Sequence, residues 1–158
     1  MSGDSPCKSD GRPLFSIVIP TLNQERYLER AIQSILCQAE DDTECLVVDG
    51  GSTDGSHAIL QRYRHRLSWW CSEPDQGQSD ALNKGFAHAR GEFFAWLNAD
   101  DLLLPGTLSA LRRAIKMHPN VQWMTGNQIY IDPEDRVMRC VRDGRWHNFL
   151  FKSAPVLV

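Results

Sequence analysis

Apolar runs recur along the first hundred residues, and each gives way to a polar cluster and then to a segment of helical spacing. Phe15-Ser16-Ile17-Val18-Ile19-Pro20, Cys45-Leu46-Val47-Val48, Ser68-Trp69-Trp70-Cys71 and Glu92-Phe93-Phe94-Ala95-Trp96-Leu97 are too short and too β-branched or aromatic for helices. They lack the apolar–polar alternation of a half-exposed strand, so they read as strands covered on both faces. Between them, Glu25 to Ala39 places Leu28, Ala31, Ile32, Ile35, Leu36 and Ala39 on one helical face, with Glu25, Arg26, Glu29, Arg30 and Gln33 opposite. Helices are also expected over Ser56 to Arg66 and over Ser79 to Ala89, the latter capped by Ser79. A fourth opens near Pro105, carries Leu108, Leu111 and Ile115, and stops at His118-Pro119. Val121 to Met124 reads as a fifth strand. Strand and helix alternating in this way predict a three-layer α/β fold with a mainly parallel central sheet.

Length and composition narrow the classes. A chain of 158 residues can bury one core. A formal net charge of -3 supplies no attraction to nucleic acid. No apolar run approaches the ~20 residues of a membrane span, and MSGDSPCKSDGRP lacks the apolar centre of a secretory signal. Residues 1–13 are expected to form a mobile arm before a domain over 14–158. The cysteines at 7, 37, 45, 71 and 140 show no metal-ligand spacing and are odd in number, which favours reduced thiols in the cytoplasm. The five histidines share no zinc-site spacing either.

In open α/β sheets, ligands sit beyond the carboxyl ends of the strands. Those ends carry Pro20-Thr21-Leu22-Asn23, Asp49-Gly50-Gly51-Ser52, Glu73-Pro74-Asp75 and Asn98-Ala99-Asp100-Asp101. Adjacent carboxylates leaving an apolar strand repel each other, and a hard divalent cation removes that cost. Asp100 and Asp101 are therefore candidate metal ligands, rather than simple caps of the next helix. Asp49 is placed to accept a hydrogen bond from a base or ribose, whereas Asp54 or Ser56 reads as a helix cap. Neither GxxxxGK[ST] nor GxGxxG occurs.

FSIVIPTLNQERYLERAIQSILCQ, LVVDGGSTDGS and SEPDQGQSDALNKGFAHARGEFFAWLNADDLLLPGTL, in that order, resemble the large second family of glycosyltransferases, which has the GT-A fold. The resemblance covers about residues 15–126, the expected nucleotide-sugar-binding part, and 127–158 would begin the acceptor side. It implies a nucleoside-diphosphate sugar donor, a UDP-sugar first, a Mg²⁺ or Mn²⁺ ion, and transfer with inversion to a glycan or lipid-linked acceptor. Position by position, Pro20, Thr21, Asn23 and Glu25 match the loop lining the nucleotide pocket, and Asp49 the residue that meets the nucleobase. Asp80 matches a segment bordering that pocket. Asp100 and Asp101 match the DxD-type motif, with Asp100 nearer the ribose and sugar and Asp101 nearer the metal. Gly50 stands where many relatives have a second aspartate, and Gln76 where a lysine is common.

Inverting transfer needs a carboxylate base. Asp132, Glu134, Asp135 and Asp143 come early for that role, and the first three read as a hairpin turn around Pro133. The base is accordingly expected beyond Val158, with the apolar Ala154–Val158 exposed and able to mediate self-association. Arg136, Arg139, Arg142, Arg145 and Lys152 read as a solvated face, with an anionic acceptor or a membrane surface as the alternative they could meet. Trp69, Trp70 and Trp96 read as core aromatics, while Trp146 beside His147 could stack on an acceptor sugar. A nucleotide-sugar-binding module inactive in transfer is the alternative. A nucleotidyltransferase is disfavoured because Thr21-Leu22-Asn23-Gln24 is not a basic, glycine-rich loop.

Overall fold

The computed structural model describes residues 11–141 and 150–151. In chain order the elements are β1 (Phe15–Thr21), α1 (Glu25–Leu36), β2 (Thr43–Asp49), α2 (Ser56–Tyr63), β3 (Trp69–Ser72), α3 (Gln78–His88) and β4 (Phe93–Trp96). They continue as α4 (Thr107–Met117), β5 (Trp123–Met124), β6 (Gln128–Ile131), β7 (Val137–Val141) and β8 (Leu150–Phe151). The main sheet runs β3-β2-β1-β4-β8-β5, and β6 pairs with β7 in a separate hairpin. Strands β1 to β4 are mutually parallel, while β8 is antiparallel to both β4 and β5.

Strand periodicity divides the core into two layers. Phe15, Ile17 and Ile19 of β1 pack with Leu28, Ala31, Ile32 and Ile35 of α1 and with Ile59 and Leu60 of α2. Val18 points to the other face, where Leu46, Val48, Ala81, Leu82 and Phe86 place α3. Every residue of β1 is buried, which is why its sequence lacks the strict apolar–polar alternation of a half-exposed strand. Helix α3 lies so close to β1 that a Cβ at Gly85 would clash with a Val18 methyl.

Polar networks fix the end of the sheet opposite the strand-end loops. Glu44 is 4% exposed and accepts hydrogen bonds from Ser16 Oγ at 2.7 Å, Arg90 N–H at 2.9 Å and Arg90 Nε–H at 2.7 Å. Ser16 Oγ in turn accepts from Gly91 N–H at 2.8 Å. Asp42 accepts from Arg112 Nε–H at 2.9 Å, and that guanidinium holds its carboxyl below the ordinary range. The buried Glu44 and Ser16 are thereby matched by partners, which offsets their desolvation.

Boundaries depart from the sequence reading in instructive ways. Helix α1 ends at Leu36, three residues before Ala39, and α2 ends at Tyr63. Ser79 does not cap α3; the helix begins at Gln78 behind Gly77, whose φ of 109° only glycine adopts freely. Pro105 lies before α4, which follows the left-handed Gly106. Asp54 accepts from Ser56 N–H at 2.9 Å and from Glu25 N–H at 2.9 Å, so it ties α2 to α1 rather than capping one helix. Trp69, Trp70 and Trp96 are only partly buried; Trp69 stacks on His88 with centroids 4.0 Å apart. The expectations for residues 1–10, Arg142, Asp143, Arg145, Trp146, His147, Lys152 and Ala154–Val158 lie outside the described residues.

Candidate functional site

Strand order reverses at β1: the chain steps outward to β2 and β3, then returns to β4 on the other side of β1. A crevice is expected where the loops after β1 and β4 diverge. A cavity of about 440 Å³ occupies that place, lined by Pro20, Thr21, Leu22 and Gln24 after β1 and by Asn98, Ala99 and Asp100 after β4. Asp75, Gly77, Gln78 and Ala81 close it from the start of α3.

The Thr21 side chain is the informative one. It is 5% exposed, and its Oγ1 has no hydrogen-bond partner among the described residues. A buried hydroxyl without a partner costs free energy unless a ligand satisfies it. Opposite, Gln78 Nε2 donates to Asn98 Oδ1 at 2.7 Å, and Asn98 Nδ2 donates to Asp101 at 3.1 Å. These bonds join the α3 N-terminus to the Asp100–Asp101 loop. Gln24, Asp75, Gln78 and Asn98 are not singled out individually by the sequence, although Asp75 and Asn98 sit in strand-end clusters that are.

The remaining candidates hold loops instead of lining the cavity. Asn23 has a left-handed φ of 53°; its N–H donates to Ser52 Oγ at 2.7 Å and its Oδ1 accepts from Thr53 N–H at 2.8 Å. Glu25 accepts from Gly55 N–H in a very short bond. Asp80 accepts from Gln76 N–H at 3.0 Å and pairs with Lys84 at 3.5 Å. Asp49 is 0% exposed, and its oxygens accept from Ser72 Oγ at 2.6 Å and from Ser52 N–H and Oγ. Pro20, Thr21 and Asp100 are thus at the cavity wall, and Asn23, Glu25, Asp49 and Asp80 brace the turns behind it.

Asp100 and Asp101 are both exposed at the lip. Among the described residues no third Asp, Glu, His or Cys joins them in a cluster able to hold an ion alone. One or two carboxylates completed by phosphate oxygens are a donor set that suits Mg²⁺ or Mn²⁺, so the residues present fit a cation that arrives with a diphosphate.

A second cavity, of about 230 Å³, lies on the other side of Asp100 and is lined by Tyr27, Arg30, Leu102, Ile131, Asp132, Pro133 and Asp135. The hairpin turn around Pro133 is present, with Asp132 accepting from Glu134 N–H, Arg136 N–H and Arg136 Nε–H. Those bonds from Arg136 hold the Asp132 carboxyl below its ordinary range. Asp135 pairs with Arg30 at 3.0 Å, which brings the hairpin onto α1 and beside Asp100. Sequence separation hid this approach, because Arg30 and Asp135 lie 105 residues apart.

The sequence model of glycosyl transferase family 2 matches residues 16–154. The chain belongs to that family. It is 36% identical over 103 residues to the GalNAc(5)-diNAcBac-PP-undecaprenol beta-1,3-glucosyltransferase of Campylobacter jejuni, matching 63% of this chain and 33% of that protein. Among solved structures, S. aureus TarS 1–349 in complex with UDP-GlcNAc superposes with a TM-score of 0.63 at 25% identity, covering 79% of this chain and 37% of that one. The mannosyltransferase PcManGT from Pyrobaculum calidifontis, in complex with GDP-Man and Mn²⁺, gives 0.64 at 28%, covering 78% and 37%. The fold of this family-2 chain is therefore the GT-A α/β fold. The chain spans about a third of the length of the curated relatives it matches. Among the described residues, no helix is long and apolar enough to cross a membrane.

Proposed function

We propose that this chain binds a nucleoside-diphosphate sugar in the cavity between β1 and β4, as the donor-binding part of a metal-assisted, inverting glycosyltransferase. The observation that carries the reading is the unpartnered Thr21 hydroxyl, buried in a cavity whose far lip is Asp100. A polar group that reaches Thr21 Oγ1 would satisfy it. The loop after β1, braced by Asn23 and Glu25, holds the nucleoside, and the Gln78–Asn98 bond keeps α3 at the distance a diphosphate needs. Asp100 and Asp101 would hold a Mg²⁺ or Mn²⁺, which when bound offsets charge on the departing diphosphate. Bound donors and Mn²⁺ in the solved relatives support this assignment.

Asp132 and Asp135 approach Asp100 but spend their oxygens on Arg136 and Arg30. The catalytic base is therefore assigned to a carboxylate outside the described residues, and the acceptor to the side of Asp100 that faces the hairpin. A relative acting on an undecaprenol-linked glycan supports a lipid-linked acceptor met at a membrane surface. The same spent carboxylates favour the second reading, in which this chain alone binds donor without transferring it.

Thr21→Val separates binding from folding. Replacing an unsatisfied buried hydroxyl by a methyl is neutral or stabilising in the free chain, while the lost hydrogen bond weakens nucleotide binding by about 1 kcal/mol. Thermal unfolding and calorimetry on one preparation should show an unchanged or raised Tm with affinity down roughly fivefold. A variant that is less stable yet binds equally well would show that the hydroxyl serves the fold.

A further inference from the structure

The loop that leads from Asp101 to α4 is gripped from behind by the end of α1. Gln38, just past that helix, donates from Nε2 to Leu103 O at 3.2 Å, Leu104 O at 3.0 Å and Ser34 O at 2.9 Å. Its Oε1 accepts from Leu108 N–H at 3.3 Å. That N–H belongs to the first turn of α4, whose N-cap, Gly106, has no side chain to offer it. Ser34 completes the grip, because its Oγ accepts from Leu103 N–H at 3.0 Å. Both polar groups of the Leu103 backbone are thus taken by side chains that lie 65 and 69 positions earlier in the sequence.

Asp101 stands just before Leu103 and is tied on its other side to the end of β4. Its N–H donates to Asn98 O at 3.0 Å, and Asn98 Nδ2 donates to its carboxylate at 3.1 Å. The helix that supplies Ser34 is itself fixed, since Ala31, Ile32 and Ile35 are 0% exposed against the core under β1. An exposed stretch between β4 and α4 would otherwise have to be ordered when a ligand binds, at a cost in backbone entropy. Strung between β4 and α1, the Asp100–Asp101 lip is ordered beforehand.

Resting on the donor-binding reading above, we propose that Gln38, together with Ser34, is a positioning residue for the cation. The pair holds the 101–104 backbone so that Asp100 and Asp101 meet the metal without first being ordered. Among the described residues that line the cavity, neither Gln38 nor Ser34 appears, so both act through the lip and not by contact with a ligand. The nucleoside side of the cavity is built by Pro20 and Thr21 at the end of β1, which the grip does not touch. Its loss therefore falls on metal affinity and spares the contact made without metal.

The test is calorimetry of UDP over a Mn²⁺ series and in a chelator, with the parent, Gln38→Met, Ser34→Ala and Ser34→Thr. Methionine keeps the length of the side chain and removes every hydrogen bond. Leu103 still packs on the core through its side chain, so the loop stays attached and the variant should fold. Gln38→Met should raise the Mn²⁺ concentration for half-maximal effect by about tenfold or more, the range for residues that orient metal ligands. UDP affinity in chelator should stay within about twofold of the parent, a split that general damage to the fold would not give. Ser34→Ala should shift the Mn²⁺ response the same way by about threefold, the worth of one hydrogen bond, and Ser34→Thr should restore it. Should Gln38→Met not fold, the serine pair decides: equal Mn²⁺ responses in Ser34→Ala and Ser34→Thr overturn the proposal. A folded Gln38→Met with the parent's Mn²⁺ response, or one that loses UDP equally in chelator, overturns it while donor binding stands. A parent whose UDP binding ignores Mn²⁺ would overturn the metal assignment and this proposal with it.

Discussion

Converting both Asp100 and Asp101 to asparagine should abolish the Mn²⁺-dependent part of nucleotide affinity and leave the fold unchanged. Each asparagine keeps the shape of the side chain but removes the charge that a hard cation requires. At about tenfold per carboxylate, the double variant should lose roughly a hundredfold, or about 2.7 kcal/mol. Both residues are exposed, and the oxygen of an asparagine at 101 can still accept from Asn98 Nδ2. Their mutual repulsion also disappears, and the Tm should hold or rise slightly. Calorimetry of UDP with Mn²⁺ and with a chelator gives the metal-dependent difference directly. A double variant with the parent's metal response would move the cation away from this lip.

Gly91→Ala should destabilise the chain strongly. A Cβ there would stand 2.6 Å from Ser16 Oγ, 2.8 Å from Ser16 N and 2.9 Å from the Phe15 carbonyl carbon. Two of those atoms are backbone of a fully buried strand, which cannot swing aside as a side-chain tip can. Relief requires β1 to separate from the 90–91 turn, which stretches the Gly91 N–H to Ser16 Oγ bond and disturbs the Glu44 network beyond it. Overpacking and a weakened buried hydrogen bond together cost about 3 kcal/mol, or a fall in Tm of about 6–12 °C. Gly91 lies outside α3, so no gain in helix propensity offsets the clash. Equal melting of variant and parent would contradict the packing described for this edge.

The parallel part of the sheet was legible because buried strands write themselves as continuous apolar runs, as Phe15–Pro20 and Cys45–Val48 do. Helix faces were legible for the same reason, since Leu28, Ala31, Ile32 and Ile35 must share one side to reach β1. What periodicity does not carry is the end of an element. The stop of α1 at Leu36 and the start of α3 behind Gly77 depend on tertiary contacts and on a single backbone angle. The insertion of β8 between β4 and β5 escaped notice because an antiparallel return across many residues leaves no local pattern. In the site, Thr21 and Asp100 line the cavity between the ends of β1 and β4. Asp75 sat in a recognised cluster, yet its place at the cavity wall became visible only in the structure. Asp132 and Asp135 read correctly as turn chemistry, but their place beside Asp100 depends on the distant Arg30.

The central claim is that the cavity between β1 and β4 takes a nucleoside diphosphate with a divalent cation. Titration of the chain with UDP, in matched buffers containing Mn²⁺ or a chelator, tests it most directly. The account predicts saturable binding at one site per chain, stronger with Mn²⁺, and weakened by Thr21→Val. Absence of saturable binding in both buffers, or binding indifferent both to Mn²⁺ and to Thr21→Val, would contradict it.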